Sequence, residues 1–221
     1  MERGRFDFGK YDMDLLAQRL QQPLPAEQAH ARMNSSARLQ KMALSWKPND
    51  NTRKSAVLVL LYPHQESVYF PLTLRHVYKG AHSGQVSLPG GRHELSDESL
   101  QATALRETQE EIGVNPDEIK IVGQLTELFV PASNFIIQPF VGIIPKQPQF
   151  ATDAREVAQL FETDIAHLGI DANIKTTKIS VAENIQITAP YFDLHSQVVW
   201  GATAMILSEL DLVWRETFLQ R

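Results

Sequence analysis

The chain has 221 residues, 43% hydrophobic and 21% charged, which excludes disordered, collagen-like and fibrous classes and suits one sizeable core with an appended terminal element. The formal net charge of −5, with basic residues scattered rather than massed, excludes a protein whose main task is gripping nucleic acid. No cysteine occurs, so disulfides, thiolate metal sites and cysteine nucleophiles are excluded, and any metal must sit on oxygen or imidazole.

Residues 1–10 alternate charged and aromatic side chains without the apolar middle of a signal peptide, and no apolar run approaches the ~20 residues of a membrane span. A cytoplasmic protein with no membrane partner is expected. Leu15, Leu16 and Leu20 fall at helical spacing, and Pro25 opens a second expected helix through Ala29, Met33 and Leu39 toward Leu44. Residues 1–50 therefore read as a helical arm whose apolar face covers the core or a twin subunit, as in a homodimer. The texture changes at Ser55. The run 56–62 is a buried strand, 63–67 a turn, and 68–75 its hairpin partner, so the catalytic domain is expected over 51–221. A short strand over 85–88 enters the tight turn Pro89-Gly90-Gly91. A helix over 98–112 follows, capped by Ser96 or Asp97 and stopped at Gly113. Strands are expected over 119–129, 135–144 and 157–161, a hairpin over 174–181 and 185–192, and a closing helix over 201–218. Strands and helices interleave without a regular βαβ repeat, which predicts an α/β fold with a mixed sheet and helices on both faces.

The chemistry concentrates in Arg106-Glu107-Thr108-Gln109-Glu110-Glu111-Ile112-Gly113. On a helix Glu107 lies three and four residues from Glu110 and Glu111, so the three carboxylates share one patch and repel. They sit at the C-terminal end, where the helix dipole disfavours negative charge, so local helix energetics do not explain them. A hard cation, Mg²⁺ or Mn²⁺, does, since it takes carboxylate oxygens and bridges substrate phosphates. Arg106, four residues before Glu110, is placed to steady a carboxylate through a forked hydrogen bond. Leu100, Ala104, Thr108 and Ile112 form the opposite, core-facing stripe, and Gly90 and Gly91 let the backbone turn sharply beside the metal.

The segment from Gly90-Gly91-Arg92 through Arg106-Glu107-Thr108-Gln109-Glu110-Glu111-Ile112-Gly113-Val114 resembles the Nudix box, G-x5-E-x7-R-E-U-x-E-E-x-G-U with U apolar. Counting back from Arg106 puts the box's first glutamate on Glu98 and its first glycine on Arg92, one residue late, a longer loop shared with the coenzyme A pyrophosphatases. Leu72-Thr73-Leu74-Arg75 and Gly84-Gln85-Val86-Ser87-Leu88-Pro89-Gly90-Gly91 are similar to that subgroup's L-T-x-R … G-x3-F-P-G-G signature. So are Phe140-Val141-Gly142-Ile143-Ile144-Pro145, Glu156-Val157 and Val199-Trp200-Gly201-Ala202-Thr203-Ala204 to its later segments. Gly80 stands where the signature has arginine, with Lys79 adjacent, and Leu88 where it has phenylalanine.

The resemblance implies a Nudix α/β/α sandwich in which Glu107, Glu110 and Glu111 bind the metals and Arg106 orients Glu107. It implies attack by water on one phosphorus of a pyrophosphate in a nucleoside diphosphate derivative, with coenzyme A or acyl-coenzyme A the expected substrate. Glu156 is a candidate general base and Glu98 a weaker one. Arg75, Lys79 and His82 lead into the Gly90-Gly91 turn and are placed to meet substrate phosphates, and Ser133, Asn134 and Phe135 fall in a loop that would face the nucleotide. The competing functions are hydrolysis of ADP-ribose, a nucleotide sugar or a dinucleotide, and nucleotide binding without catalysis. The last commonly loses metal glutamates, all of which this chain keeps.

Overall fold

A computed structural model describes residues 7–35, 47–77, 83–182 and 185–219. The central feature is a mixed sheet in the order β10-β4-β3-β9-β7, built from β3 (Arg53–His64), β4 (Ser67–Arg75), β7 (Lys120–Gln124), β9 (Phe135–Ile143) and β10 (Val157–Asp164). β3 and β4 form a hairpin closed by Gln65 and Glu66, both with left-handed backbones (φ 47° and 62°), the geometry that matches the twist of paired strands. β3 pairs in parallel with β9, from Arg53 beside Phe135 to Leu61 beside Ile143, and this one parallel pairing makes the sheet mixed. Three short strands extend it: β5 (Val86–Ser87) on β4, β6 (Gly90–Arg92) on β3, and β8 (Leu128–Val130) on β9.

Alternation along β3 divides the core. Ala56, Leu58, Leu60 and Tyr62 face one side and pack with Ala104 and Ile112 of α3 (Leu100–Ile112). Val59 and Leu61 face the other side, where Met205, Ile206, Leu210 and Trp214 of α4 (Gly201–Phe218) close over the sheet. The expected sandwich with helices on both faces is the fold observed. A second, three-stranded antiparallel sheet, β11 (Ile174–Ala182), β12 (Ile185–Leu194) and β13 (Gln197–Trp200), leads directly into α4. Its third strand lies beyond the expected hairpin.

The N-terminal arm joins the same core as α4. A two-stranded hairpin, β1 (Asp7–Phe8) with β2 (Tyr11–Asp12), precedes α1 (Met13–Arg19) and α2 (Ala26–Ala31), and Phe8, Met13, Leu16, Leu20 and Met33 are buried with α4. Tyr11 packs its ring against Trp214 and Phe218, and Arg19 pairs with Glu216 at 2.6 Å. The polar centre of this contact is Glu209 of α4, which is fully buried. It accepts hydrogen bonds from the amides of Ala26 and Thr126, each at 3.0 Å, and from the Thr126 hydroxyl at 2.5 Å, while His30 Nε2 lies 3.4 Å away. Burial pushes the Glu209 carboxyl up, and His30 and Thr126 more than reverse this, leaving it below its ordinary value.

Two sequence expectations need correction. The second arm helix ends at Ala31, and its expected continuation through Leu39 and Leu44 lies outside the described residues. The expected strand over 119–129 is interrupted between β7 and β8: the Leu125 amide still donates to the Pro139 carbonyl of β9, but the next backbone groups turn to side chains. The Leu125 carbonyl accepts from Gln138 Nε2, and the Thr126 amide donates to Glu209.

Candidate active site

The helix α3 starts at Ser99, whose hydroxyl accepts from the Ala102 amide at 3.1 Å, not at Ser96 or Asp97. It ends at Gly113 in a left-handed conformation (φ 74°) that a side chain would bring against the Ala151 carbonyl. The carbonyls of Glu111 and Ile112, left over at the helix end, accept from the amides of Asp153 and Ala151, each at 3.0 Å. These bonds fasten the turn before β10, and Glu156 in it, to the end of α3 that carries the acidic cluster. The negative charge of Glu156 helps to push both Glu107 and Glu111 up.

The turn Pro89-Gly90-Gly91 lies flat on β3, with Gly90 opposite Val57 and Gly91 opposite Ala56. A Cβ on Gly90, whose φ is 150°, would strike the Ala56 carbonyl and the Val57 Cα, so only glycine permits that approach of two backbones. Gly91 meets a different neighbour: a Cβ there would overlap the carboxylate of Glu107, which would have to move aside. The two glycines thus seat the turn on the sheet and the acidic helix on the turn.

The glutamates differ in environment. The side chain of Glu110 is 56% exposed and that of Glu107 14%, whereas Glu111 is 2% exposed. Glu111 therefore does not belong to an exposed patch. It accepts from Arg75 Nη2 at 3.1 Å and from the Gly90 amide at 3.2 Å. Burial is nevertheless the stronger influence and pushes its carboxyl up to about 7; Glu107 is raised as well, again chiefly by burial. Arg106 spans the cluster, donating through Nη1 to Glu107 at 3.0 Å and Glu110 at 2.9 Å. Its forked pair is with Asp97, through Nε at 2.8 Å and Nη2 at 3.0 Å, and Nη2 also reaches the Arg92 carbonyl.

Asp97, 4% exposed, is the site residue that motif counting missed. Hydrogen bonds from Arg106 hold its carboxyl well below the ordinary range. Counting back from Arg106 had favoured Glu98, which is exposed. Counting forward from Gly91 finds Asp97 after five residues (92–96), so the extra residue falls between Asp97 and Arg106.

Arg75 lies at the acidic cluster as well as on the segment entering the glycine turn. Lys79 and His82 lie outside the described residues. Ser133 and Phe135 line a cleft beside the turn, while Asn134 is occupied with the start of β3: its Oδ1 accepts from Thr52, and its Nδ2 donates to the Asn51 carbonyl.

Among the described residues, no three carboxylate or imidazole side chains converge on one ion as they stand. Arg106 draws Glu107 and Glu110 to itself, and Arg75 holds Glu111. The donor chemistry still fits a hard divalent cation. Glu107, Glu110, Glu111 and Glu156 share the region with two guanidiniums, one of them committed to Asp97. Burial chiefly raises the Glu107 and Glu111 carboxyls, with the neighbouring carboxylates adding to it, and a divalent cation would favour their charged forms.

Comparison with known proteins agrees with this geometry. The NUDIX domain model matches residues 52–165. The chain is 34% identical over 172 residues to the uncharacterized Nudix hydrolase NudL of Pectobacterium atrosepticum, covering 76% of this chain and 86% of that protein. To NudL of Photorhabdus laumondii it is 31% identical over 164 residues, covering 73% and 85%. Among solved structures, the Nudix hydrolase RenU of M. smegmatis shares the fold with a TM-score of 0.54 at 15% identity, over 80% of this chain and 98% of that one. No helix among the described residues is long and apolar enough to cross a membrane. The family match over the acidic helix, together with relatives aligned along three quarters of the chain, shows that the chain belongs to the Nudix hydrolases, a family of pyrophosphohydrolases.

Proposed function

We propose that the chain cleaves the pyrophosphate of coenzyme A or an acyl derivative, giving 3′,5′-ADP and a 4′-phosphopantetheine product. The observation that carries this reading is a convergence. Arg75, residues 85–88 with Gly90 and Gly91, and residues 200–203 come from distant parts of the chain, yet all line one cleft beside the acidic helix. These are the segments that resemble the coenzyme A pyrophosphatases. The Thr203 hydroxyl ties two of them by donating to the Val86 carbonyl at 3.3 Å.

Glu107, Glu110 and Glu111 would hold Mg²⁺ or Mn²⁺, which lowers the pKa of a bound water and neutralises charge on the departing phosphate. Asp97 fixes the guanidinium of Arg106, and Arg106 in turn sets the directions of Glu107 and Glu110. Glu156 accepts the proton of the attacking water. The water oxygen bonds to one phosphorus, the bond from that phosphorus to the bridging oxygen breaks, and the electron pair leaves with the second phosphate. Arg75, with Lys79 and His82 from the same segment, binds phosphate oxygens, and the side-chain-free Gly91 leaves Glu107 close to the turn.

The test is product analysis by mass spectrometry after incubation with coenzyme A, ADP-ribose and a dinucleoside polyphosphate, with Mg²⁺ or Mn²⁺. The expected products from coenzyme A are 3′,5′-ADP and 4′-phosphopantetheine. Ready cleavage of ADP-ribose with coenzyme A left intact would overturn the substrate assignment.

A further inference from the structure

The cleft beside the glycine turn has a volume of about 490 Å³, within the range that encloses a small ligand. Two aromatic rings line it among the described residues, Trp200 and Phe135. Trp200 stands where β13 passes into α4, and Phe135 opens β9.

Strand register places Phe135 relative to the turn. On one flank of β3, Gly90 lies opposite Val57 and Arg92 opposite Ser55; on the other, Ile137 lies beside Ser55 and Phe135 beside Arg53. Phe135 therefore stands two strand spacings across from Arg92, about 10 Å, and about 7 Å further along β3. A diphosphate held at the turn and a base held at Phe135 leave between them a gap for a ribose to bridge.

The ring is fixed from behind. The Arg53 guanidinium lies over it, 4.1 Å from its centroid, and donates through Nη2 to the Ser133 carbonyl at 2.8 Å. The Arg53 amide donates to the Asn134 carbonyl at 3.0 Å, which pins the residue before the ring. Arg53 does not itself line the cleft, so it covers one side of the ring and leaves the rest turned to the cleft. A guanidinium over a phenyl ring is attractive, and the pair forms a flat, rigid wall. Hydroxyls elsewhere in the cleft are already spent on the protein: Ser55 donates to the Ile136 carbonyl at 3.1 Å and Thr203 to the Val86 carbonyl. Stacking needs a π-face rather than a hydrogen-bond partner, so it suits such walls.

We propose that Phe135, backed by Arg53, is the platform on which the base of the diphosphate substrate stacks. The inference rests on the reading of the site as one that cleaves a nucleoside diphosphate derivative. It does not require that derivative to be coenzyme A.

Calorimetry with Mg²⁺ tests this on two ligands that share a carbon-bridged diphosphate: α,β-methylene-ADP, which carries a base, and methylenediphosphonate, which does not. Phe135→Leu keeps an apolar side chain without a π-face. It should weaken α,β-methylene-ADP by about 5- to 150-fold and leave methylenediphosphonate within about twofold. Phe135→Tyr keeps the ring and should bind both ligands nearly as wild type does. Should the leucine variant fail to fold, the wild type still decides the matter, because stacking predicts nuclear Overhauser contacts between the adenine protons and the Phe135 ring.

Equal weakening of both ligands would overturn the platform, since Phe135 would then support the turn rather than the base. Unchanged binding in a folded leucine variant, a tyrosine variant as weak as the leucine one, or missing ring contacts in the wild type would do the same. A loss produced by Trp200→Leu alone would move the base to the other ring. Base-dependent binding through Phe135, with coenzyme A left uncleaved, would sink the coenzyme A assignment and keep the platform. Cleavage of coenzyme A without base-dependent binding at Phe135 would do the reverse.

Discussion

Replacing Glu209 by glutamine should be among the most destabilising isosteric changes in this chain. The wild-type carboxylate has no exposed surface and accepts from two amides and one hydroxyl, with an imidazole at 3.4 Å. Glutamine keeps one acceptor oxygen and turns an amide N–H₂ toward a donor, so at least one buried amide, of Ala26 or Thr126, loses its partner. An unsatisfied buried donor costs about 1–3 kcal/mol, and breaking a buried ionic cluster about 3–5 kcal/mol. We expect a loss of about 3–5 kcal/mol, which for a chain of this size lowers Tm by about 6–20 °C. Because the folded carboxyl lies below its ordinary value, its contribution is present above the unfolded value near ~4.3 and is lost as pH falls through the lower folded value. The gap between wild type and variant should therefore be full at pH 7 and narrow below about pH 4. Urea denaturation at both pH values, with hydrogen exchange read at the Ala26 and Thr126 amides, measures this. A variant within about 1 kcal/mol of wild type at pH 7, with exchange at both amides unchanged, would refute the reasoning.

The other predictions concern the acidic site. Glu111→Gln should lower kcat by roughly 10²-fold or more while circular dichroism stays native, and Mg²⁺ or Mn²⁺ should raise Tm in wild type but much less in the variant; an equal rise in both would remove Glu111 from the metal site. Excess chelator should abolish turnover in wild type and restored metal should recover it, so turnover persisting in chelator would sink the metal mechanism. Gly91→Ala should cost activity to a similar extent because the new methyl displaces the Glu107 carboxylate, and near-normal kcat would show that Glu107 has no fixed position to lose. Asp97→Asn should lower kcat and raise the metal concentration for half activity, whereas Glu98→Gln should do neither. The reverse pattern would restore Glu98 to the box position that counting back from Arg106 assigns it.

What the sequence made legible was set by covalent spacing. The positions of Glu107, Glu110 and Glu111 on one helix end follow from three- and four-residue intervals, and the helix stop at Gly113 from the one residue type that adopts its backbone freely. The continuous buried run of β3 and the length of α4 were readable from their apolar residues. Asp97 was not, because its bond to Arg106 crosses a loop whose extra residue fits two registers, and no local pattern chooses between them. Nor was the burial of Glu111, which depends on Arg75 and the Gly90 amide arriving from other strands. The cleft is a property of segments more than a hundred residues apart, visible only when β5 and the start of α4 meet. The arm helix was read as too long because the apolar spacing of Ala29 and Met33 continues past Ala31, where the helix itself stops.

The two glycines of the turn also differ in whether a second change can rescue their loss. Alanine at 91 meets the end of a side chain, so shortening Glu107 to aspartate would make room for the methyl and relieve the clash, though not restore the carboxylate's place at the metal. Alanine at 90 meets a carbonyl oxygen and a Cα of β3, which every amino acid at 56 and 57 would supply equally. No single replacement on the facing strand can relieve it. A second change at 107 should therefore restore the folding stability of Gly91→Ala but not its turnover, while Gly90→Ala should recover either only by returning to glycine.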